Sequence, residues 1–326
     1  MTVALRAGAE SDVTPSGTGS DPKSWWALVL AGGDGVRLRP LTRRIAGDER
    51  PKQFCRILGR ATLLEQTVTR AELVIPPDHV LVAVVRAHER FYAPLLAGIS
   101  PRCMVIQPEN RGSASAILYA VLRLLTMGPG GPVAILPSDH HVSSDRAFMA
   151  HVEGAFDLVV SRPELAIVLG IAPDTDDVEY GWIEPGEVIE GPSPWPLFRV
   201  HNFWEKPPRA VADTLRAGGC LWNSFVIVAY PSLLASLIRR AVPALGAAFA
   251  AVESRLSTPW EDDSIRRLYS GLPPADFSNE VLAPSVASLA VLPVKGVAWS
   301  DLGEARRVMA TLARIGMSPA WAEASA

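Results

Sequence analysis

From Trp25 onward the chain alternates short apolar runs with longer stretches of helical spacing. WWALVLA (25–31), HVLVAVV (79–85), CMVIQP (103–108), PVAILPSD (132–139) and AIVLGIAP (166–173) are rich in Val, Ile and Leu, and all but HVLVAVV are followed or closed by Gly, Pro or Asp. Continuous apolar runs of this length predict strands buried on both faces. Between them, TLLEQTVTRAELV (62–74), RFYAPLLAGI (90–99), GSASAILYAVLRLLTM (112–127) and RAFMAHVEGAFDLVV (146–160) repeat apolar positions at helical spacing. Thr62 and Glu65 stand at the spacing of a capping box. Strand–helix alternation predicts an α/β fold: a mostly parallel, Rossmann-like sheet with helices on both faces.

The second half is less regular. YGWIEPGEVIE (180–190), LFRVHNFWEKP (197–207) and LWNSFVIVAY (221–230) read as strands interrupted by functional loops, with helices through 231–256 and 304–316. No linker separates the parts, so 24–316 reads as one domain with an inserted substrate-binding portion. Residues 1–23, rich in Gly, Ser, Thr, Asp and Pro, read as a flexible tail, and 317–326 as a second tail.

With 326 residues, the chain is long enough to bury a full core. A net charge of -3 leaves no general electrostatic footprint for nucleic acid, so any positive site must be local. Cys55, Cys103 and Cys220 lie far apart without metal-finger spacing, which predicts free thiols in a reducing, cytoplasmic setting. The first 23 residues lack the apolar core of a signal peptide. No run approaches the roughly 18 apolar residues of a membrane span. Neither a membrane nor a nucleic-acid partner is expected.

The chemistry concentrates in LVLAGGDGVRLRPLTRRIAGDERPKQF (28–54). Ligands of open α/β sheets sit beyond the carboxyl ends of the strands. Glycines there bring backbone N–H groups close to a phosphate, and arginines add charge-assisted bonds. The stretch is not a GxxxxGK[ST] loop, because no lysine follows at the right place. Nor is it a dinucleotide GxGxxG loop, because Leu38 stands where the third glycine belongs.

GGDGVRLRPLT…RPKQF resembles the signature of sugar-1-phosphate nucleotidyltransferases, and its PKQF ending resembles the mannose-1-phosphate guanylyltransferase branch. QPENRGSASAI, LPSDHHV, EYGWIEPG, FWEKP, LWNSF, DFSNEV and WSDLG follow in the family's order, so the resemblance spans about 33–303. It implies a nucleotide-diphospho-sugar transferase-like fold and a nucleoside triphosphate and a hexose 1-phosphate as substrates. In that reaction a sugar-phosphate oxygen attacks the α-phosphorus and pyrophosphate leaves. GTP and mannose 1-phosphate are favoured, with UTP, dTTP or another sugar phosphate as the alternative, and a homodimer is left open. A non-catalytic sugar-nucleotide binder is a further alternative, but such proteins lose charged residues that this chain retains.

The same resemblance assigns roles. The amides of Gly32, Gly33, Asp34 and Gly35 face the triphosphate, Arg37 neutralises charge on the bridging and leaving oxygens, and Lys52 adds a second cation. Asp139 and Asp301 hold Mg²⁺, for which hard oxygen donors are suited. Gln107, Arg111, Gly112 and Ser113 belong to the segment that reads the base, and Gly181, Glu205, Lys206 and Asn223 receive the sugar phosphate. Because strand neighbours alternate faces, Glu205 and Lys206 need a bulge or loop between them, and His140 and His141 are poorly placed to share one zinc ion. Gln107, Gly112, Ser113 and Ser115 depart from the family's EPxxRNTAPAI, Val36 from its GTR, and Phe225 from the glycine of WNSG, narrowing the sugar pocket. The chain stops about 23 residues after Gly303, so neither a cupin-type domain nor a left-handed β-helix fits, and one activity is expected.

Overall fold

A computed structural model describes residues 24–128, 130–175, 177–189 and 195–323; the N-terminal stretch read as a tail lies outside them. The strands, in chain order, are β1 (Trp26–Leu30), β2 (Val80–Val85), β3 (Met104–Gln107), β4 (Val133–Pro137), β5 (His141–Val142) and β6 (Ala166–Ile171). They continue with β7 (Gly181–Ile189), β8 (Leu197–Glu205), β9 (Leu221–Ala229), β10 (Leu289–Val294) and β11 (Trp299–Ser300). Nine of them form one sheet in the order β3-β2-β1-β4-β9-β6-β10-β8-β7, and β11 pairs with β5.

The α/β class is as expected, and the parallel pairing falls in two blocks. β3, β2, β1 and β4 run parallel, as do β6 and β10. Antiparallel β9 lies between β4 and β6, and β7 and β8 add an antiparallel ribbon. The strands of the second half are less interrupted than their sequences suggest. Irregularity is confined to register shifts, including one at Pro185, which has no N–H for the ladder.

The helices are α1 (Arg39–Ala46), α2 (Leu63–Ala71), α3 (Glu89–Tyr92), α4 (Gly112–Thr126), α5 (Asp145–Ser161) and α6 (Arg209–Ala217). α7 (Pro231–Ala241), α8 (Pro243–Ala250), α9 (Glu261–Ser270), α10 (Ala305–Arg314) and α11 (Ala320–Glu323) follow. The capping box of α2 forms: Glu65 N donates to Thr62 Oγ1 (3.2 Å) and Thr62 N to Glu65 Oε2 (2.7 Å). Such a cap contributes about 1 kcal/mol. The run 90–99 yields only the short α3, because Pro94 cannot continue a helix. None of the helices among the described residues is long and apolar enough to cross a membrane.

Two large cores cover the two faces of the sheet. Ala27 and Val29 of β1 pack into one with Trp25, Phe156 and Trp182; Trp26 and Leu28 pack into the other with Phe249, Tyr269 and Phe277. A third, smaller cluster matters most for function. Leu38, Cys55, Ile57, Leu63, Leu302, Val308 and Leu312 pack together, tying the turn after β1, the PKQF segment and the SDLG loop to one another. Met317 and Trp321, from the stretch read as a C-terminal tail, lie against the same cluster.

Candidate active site

Beyond the carboxyl end of β1, the buried Gln53 side chain braces the glycine-rich turn. Its Nε2 donates to the carbonyls of Ala31 (3.1 Å) and Gly33 (2.7 Å), tying up oxygens that would repel an anion. Gly35 is left-handed at φ 58°, and a Cβ there would lie 3.1 Å from Lys52 N and 3.2 Å from Pro51 Cα. A side chain does not fit without displacement. Asp34 is held from both sides: Oδ1 lies 3.3 Å from His88 Nε2, and Oδ2 accepts from Asn110 Nδ2 at 2.8 Å. Burial pushes the His88 imidazole below its usual range, with Asp34 opposing.

Gly35, Arg37, Lys52, Asp139 and Asp301 line one cavity of about 370 Å³. The two aspartates, 162 residues apart by number (301 − 139), meet through the β5–β11 ladder, in which Ser300 pairs with His141. Asp139 is two residues before that pair and Asp301 one after it. Lys52 is buried between them: Nζ lies 3.3 Å from Asp139 Oδ2 and donates to the Asp301 backbone carbonyl.

The Asp301 carboxylate accepts from Gly303 N (2.8 Å) and from Arg307 Nη1 (2.9 and 3.1 Å). Burial pushes its acidity toward the neutral form, but Lys52, Arg307, His140 and the Gly303 amide outweigh that and hold it below the usual carboxylate range. Leu302, fully buried, takes a left-handed φ of 48° to turn this loop. Arg37 shares the cavity but is more exposed, and its Nη1 donates to Glu179 at 2.9 Å. His140 packs edge-on against Trp299, 5.2 Å between centroids, with Nε2 3.6 Å from Asp139 Oδ1. His141 is pushed down to about 4 by burial and by the neighbouring Arg70.

A second cavity of about 400 Å³ adjoins through Asp139 and His140; Gly32, Gly33, Gln107, Gly112 and Ser113 line it, with Phe225 and Asp276. Gln107 is buried, and its Oε1 accepts from Tyr269 Oη at 3.3 Å. Ser113 Oγ accepts from Phe277 N at 2.9 Å. At Gly112, φ is 84° and a Cβ would fall 2.1 Å from the Ala275 carbonyl, so the family's asparagine does not fit here. Arg111 is not part of this lining; its Nη2 donates to Glu109 at 2.7 Å.

The four residues expected at the sugar come together. Gly181 pairs with Glu205 across β7 and β8, and a methyl at Gly181 would meet Glu205 Oε2 at 2.7 Å and Asn223 Cβ at 3.2 Å. Lys206 turns left-handed at φ 49°, which brings its ammonium to 3.6 Å from Glu205 Oε1 instead of to the opposite face. Burial raises the Glu205 carboxyl above its usual range, with Lys206 opposing. Asn223 Oδ1 accepts from Phe225 N at 2.9 Å, and Phe225 is itself left-handed at φ 59°. The backbone thus keeps the conformation a glycine favours, while the ring reaches the cavity of Gln107.

Sequence reasoning passed over Gln53, His88, Glu179, Asp276 and Arg307. Gln53 lay inside the PKQF motif and was legible there. Arg307 gave no local signal, yet it is buried, donates to Asp177 (2.7 and 3.0 Å) as well as Asp301, and lies 4.2 Å over the Tyr180 ring.

The sequence profile of the nucleotidyl transferase family matches residues 26–315. Over 287 residues the chain is 29% identical to the xanthan biosynthesis protein XanB of Xanthomonas campestris pv. campestris, covering 85% of this chain and 57% of that protein. Over 296 residues it is 30% identical to a mannose-1-phosphate guanylyltransferase of Sinorhizobium fredii, covering 84% and 52%. The chain therefore spans about half the length of the curated relatives it matches. A crystal structure of mannose-1-phosphate geranyltransferase from Thermus thermophilus has a TM-score of 0.74 at 30% identity, covering 88% of this chain and 79% of that one.

Proposed function

The chain belongs to the nucleotidyl transferase family, and we propose that it transfers a guanylyl group from GTP to mannose 1-phosphate. An oxygen of the sugar phosphate attacks the α-phosphorus, the bond to the β-phosphate oxygen breaks, and pyrophosphate departs, leaving GDP-mannose. Such a transfer asks for positioning and charge neutralisation rather than covalent help from the protein.

Lys52, fixed by its contacts to Asp139 and Asp301, supplies the immobile cation. Arg37 is the mobile one: an exposed ion pair such as Arg37–Glu179 is worth only about 0–1 kcal/mol, so a triphosphate displaces Glu179. The donor set of Asp139 and Asp301 fits a hard divalent cation such as Mg²⁺. Among the described residues no cluster of three or more His, Cys, Asp or Glu stands ready for a metal, so Asp139 and Asp301 would hold the ion with ligands from outside the protein, as is usual for Mg²⁺. When bound, the ion neutralises the two phosphates as they meet.

For the base, Gln107 has its carbonyl engaged by Tyr269. Asp276 faces the same cavity and supplies the acceptor that guanine N1–H and N2–H₂ require; Asn279 occupies only its Oδ1. Gly181, Glu205 and Asn223 hold the sugar hydroxyls, and Lys206 its phosphate.

The observation that carries the reading is Lys52 spanning both aspartates inside one cavity. A pyrophosphate-release assay across four nucleoside triphosphates and several hexose 1-phosphates tests it. Release is expected only when GTP and mannose 1-phosphate are present together. Turnover with a different pair reassigns the substrates, and silence across the whole panel rejects the enzyme.

A further inference from the structure

A third cavity, about 400 Å³, opens between the loop before β7, β11 and α10. Arg37, Lys52, Asp139, Asp301, Glu205 and Lys206 do not line it, so it is separate from the proposed reaction site. Three of its walls are aromatic. Tyr180 lies 4.6 Å from Trp222 and 5.1 Å from Trp299, and the two tryptophans are 6.5 Å apart, centroid to centroid. Trp222 and Trp299 are 3% and 5% exposed, and the indole N–H of each is buried without a hydrogen-bond partner. Buried indole donors ordinarily find an acceptor, and leaving one unpaired is costly.

The rim is cationic. Arg306 and Arg314 have side chains 66% and 49% exposed, paired with Glu304 and Asp177 and with Asp174 respectively. Exposed ion pairs of this kind contribute little and give way to a better-placed dianion. Arg307 is different: buried and clamped by Asp177 and Asp301, it is a fixed wall of this cavity that touches one carboxylate of the reaction site.

We infer that this cavity is a second ligand site, built for a small phosphorylated sugar. The sugar ring lies against Tyr180, Trp222 and Trp299, and its phosphate sits between Arg306 and Arg314. Aromatic walls suit the apolar face of a sugar ring, and paired guanidinium groups suit one phosphate rather than an extended triphosphate.

Isothermal titration of the full chain with glucose 6-phosphate, without nucleotide, tests this independently of turnover. The sugar's phosphate is on carbon 6, so it is no acceptor at carbon 1. One saturable binding event is expected. In the doubly substituted Arg306→Ala/Arg314→Ala protein, whose changes are on exposed side chains, the dissociation constant rises at least about tenfold. In Lys206→Ala it stays the same. Absence of binding, equal affinity in the double variant, or loss of binding in Lys206→Ala would each overturn the proposal, the last by placing the sugar among the Glu205 group.

Discussion

The glycine turn after β1 is held by a neighbour: Gln53, buried, donates to the carbonyls of Ala31 and Gly33, and Gly35 takes its left-handed turn at no steric cost. Around Glu205 the chain holds itself instead. Lys206 and Phe225 take left-handed backbone without glycine, at φ 49° and 59°, a conformation that costs roughly 1–2 kcal/mol per residue. The first region is preorganised by hydrogen bonds and the second by strain that the surrounding ladder must overcome. The difference follows the chemistry. In the proposed reaction both substrates carry phosphate, and a backbone cradle braced by one amide would serve either of them. Sugar and base vary, and one of the strained positions, Phe225 on a glycine-like backbone, is where this chain departs from the family pattern.

The largest effect should come from the carboxylates that share a cavity with the glycine turn. Asp139→Asn and Asp301→Asn are each expected to lower kcat by about 10³-fold, roughly 4 kcal/mol of barrier, while melting temperature and circular dichroism stay near those of the parent. Near-normal turnover in either variant would remove the shared-cation idea. Arg37→Ala should cost about 2–4 kcal/mol in kcat/KM, as for other charge donors to a developing oxyanion. If Glu179→Gln were equally damaging, Arg37 would be acting through its ion pair rather than on phosphate.

Gln53→Ala leaves two turn carbonyls without their donor, and a cost of about 1–3 kcal/mol is expected. It should appear as a raised KM for the triphosphate with the KM for the sugar phosphate unchanged; equal rises in both would erase the contrast between the regions. The smallest effect is assigned to Phe225→Gly. Relief of the left-handed strain and the added chain entropy nearly cancel, so stability should move by less than about 1 kcal/mol. Preference for GTP over UTP should fall by about tenfold, since the ring lines the cavity of Gln107 and Asp276. Unchanged preference would confine Phe225 to packing.

The strands β1, β2, β3, β4 and β6 and the helices α2, α4 and α5 were readable along the chain, because continuous apolar runs and helical spacing are local signals. The motif order named the charged residues, and His140 beside Asp139 gave no misleading weight to zinc because adjacent strand positions face apart. What no local pattern contained was the meeting of those residues. Asp139 and Asp301 come together through the two-residue ladder of β5 and β11, and Lys52 is carried to them by apolar packing of Leu38, Cys55, Leu302 and Val308. The left-handed turn that folds Lys206 back onto Glu205 is likewise invisible to a rule of strand alternation.

By itself, then, the amino-acid order determined the repeating elements and the kinds of side chain available for phosphate chemistry, since hydrophobic periodicity and glycine spacing act over a few residues. Tertiary structure alone decided which carboxylates line one cavity, that Arg307 clamps one of them, and that antiparallel β9 divides the parallel strands. Those outcomes depend on pairings between segments far apart in the chain, where long-range packing, rather than local propensity, sets the free energy.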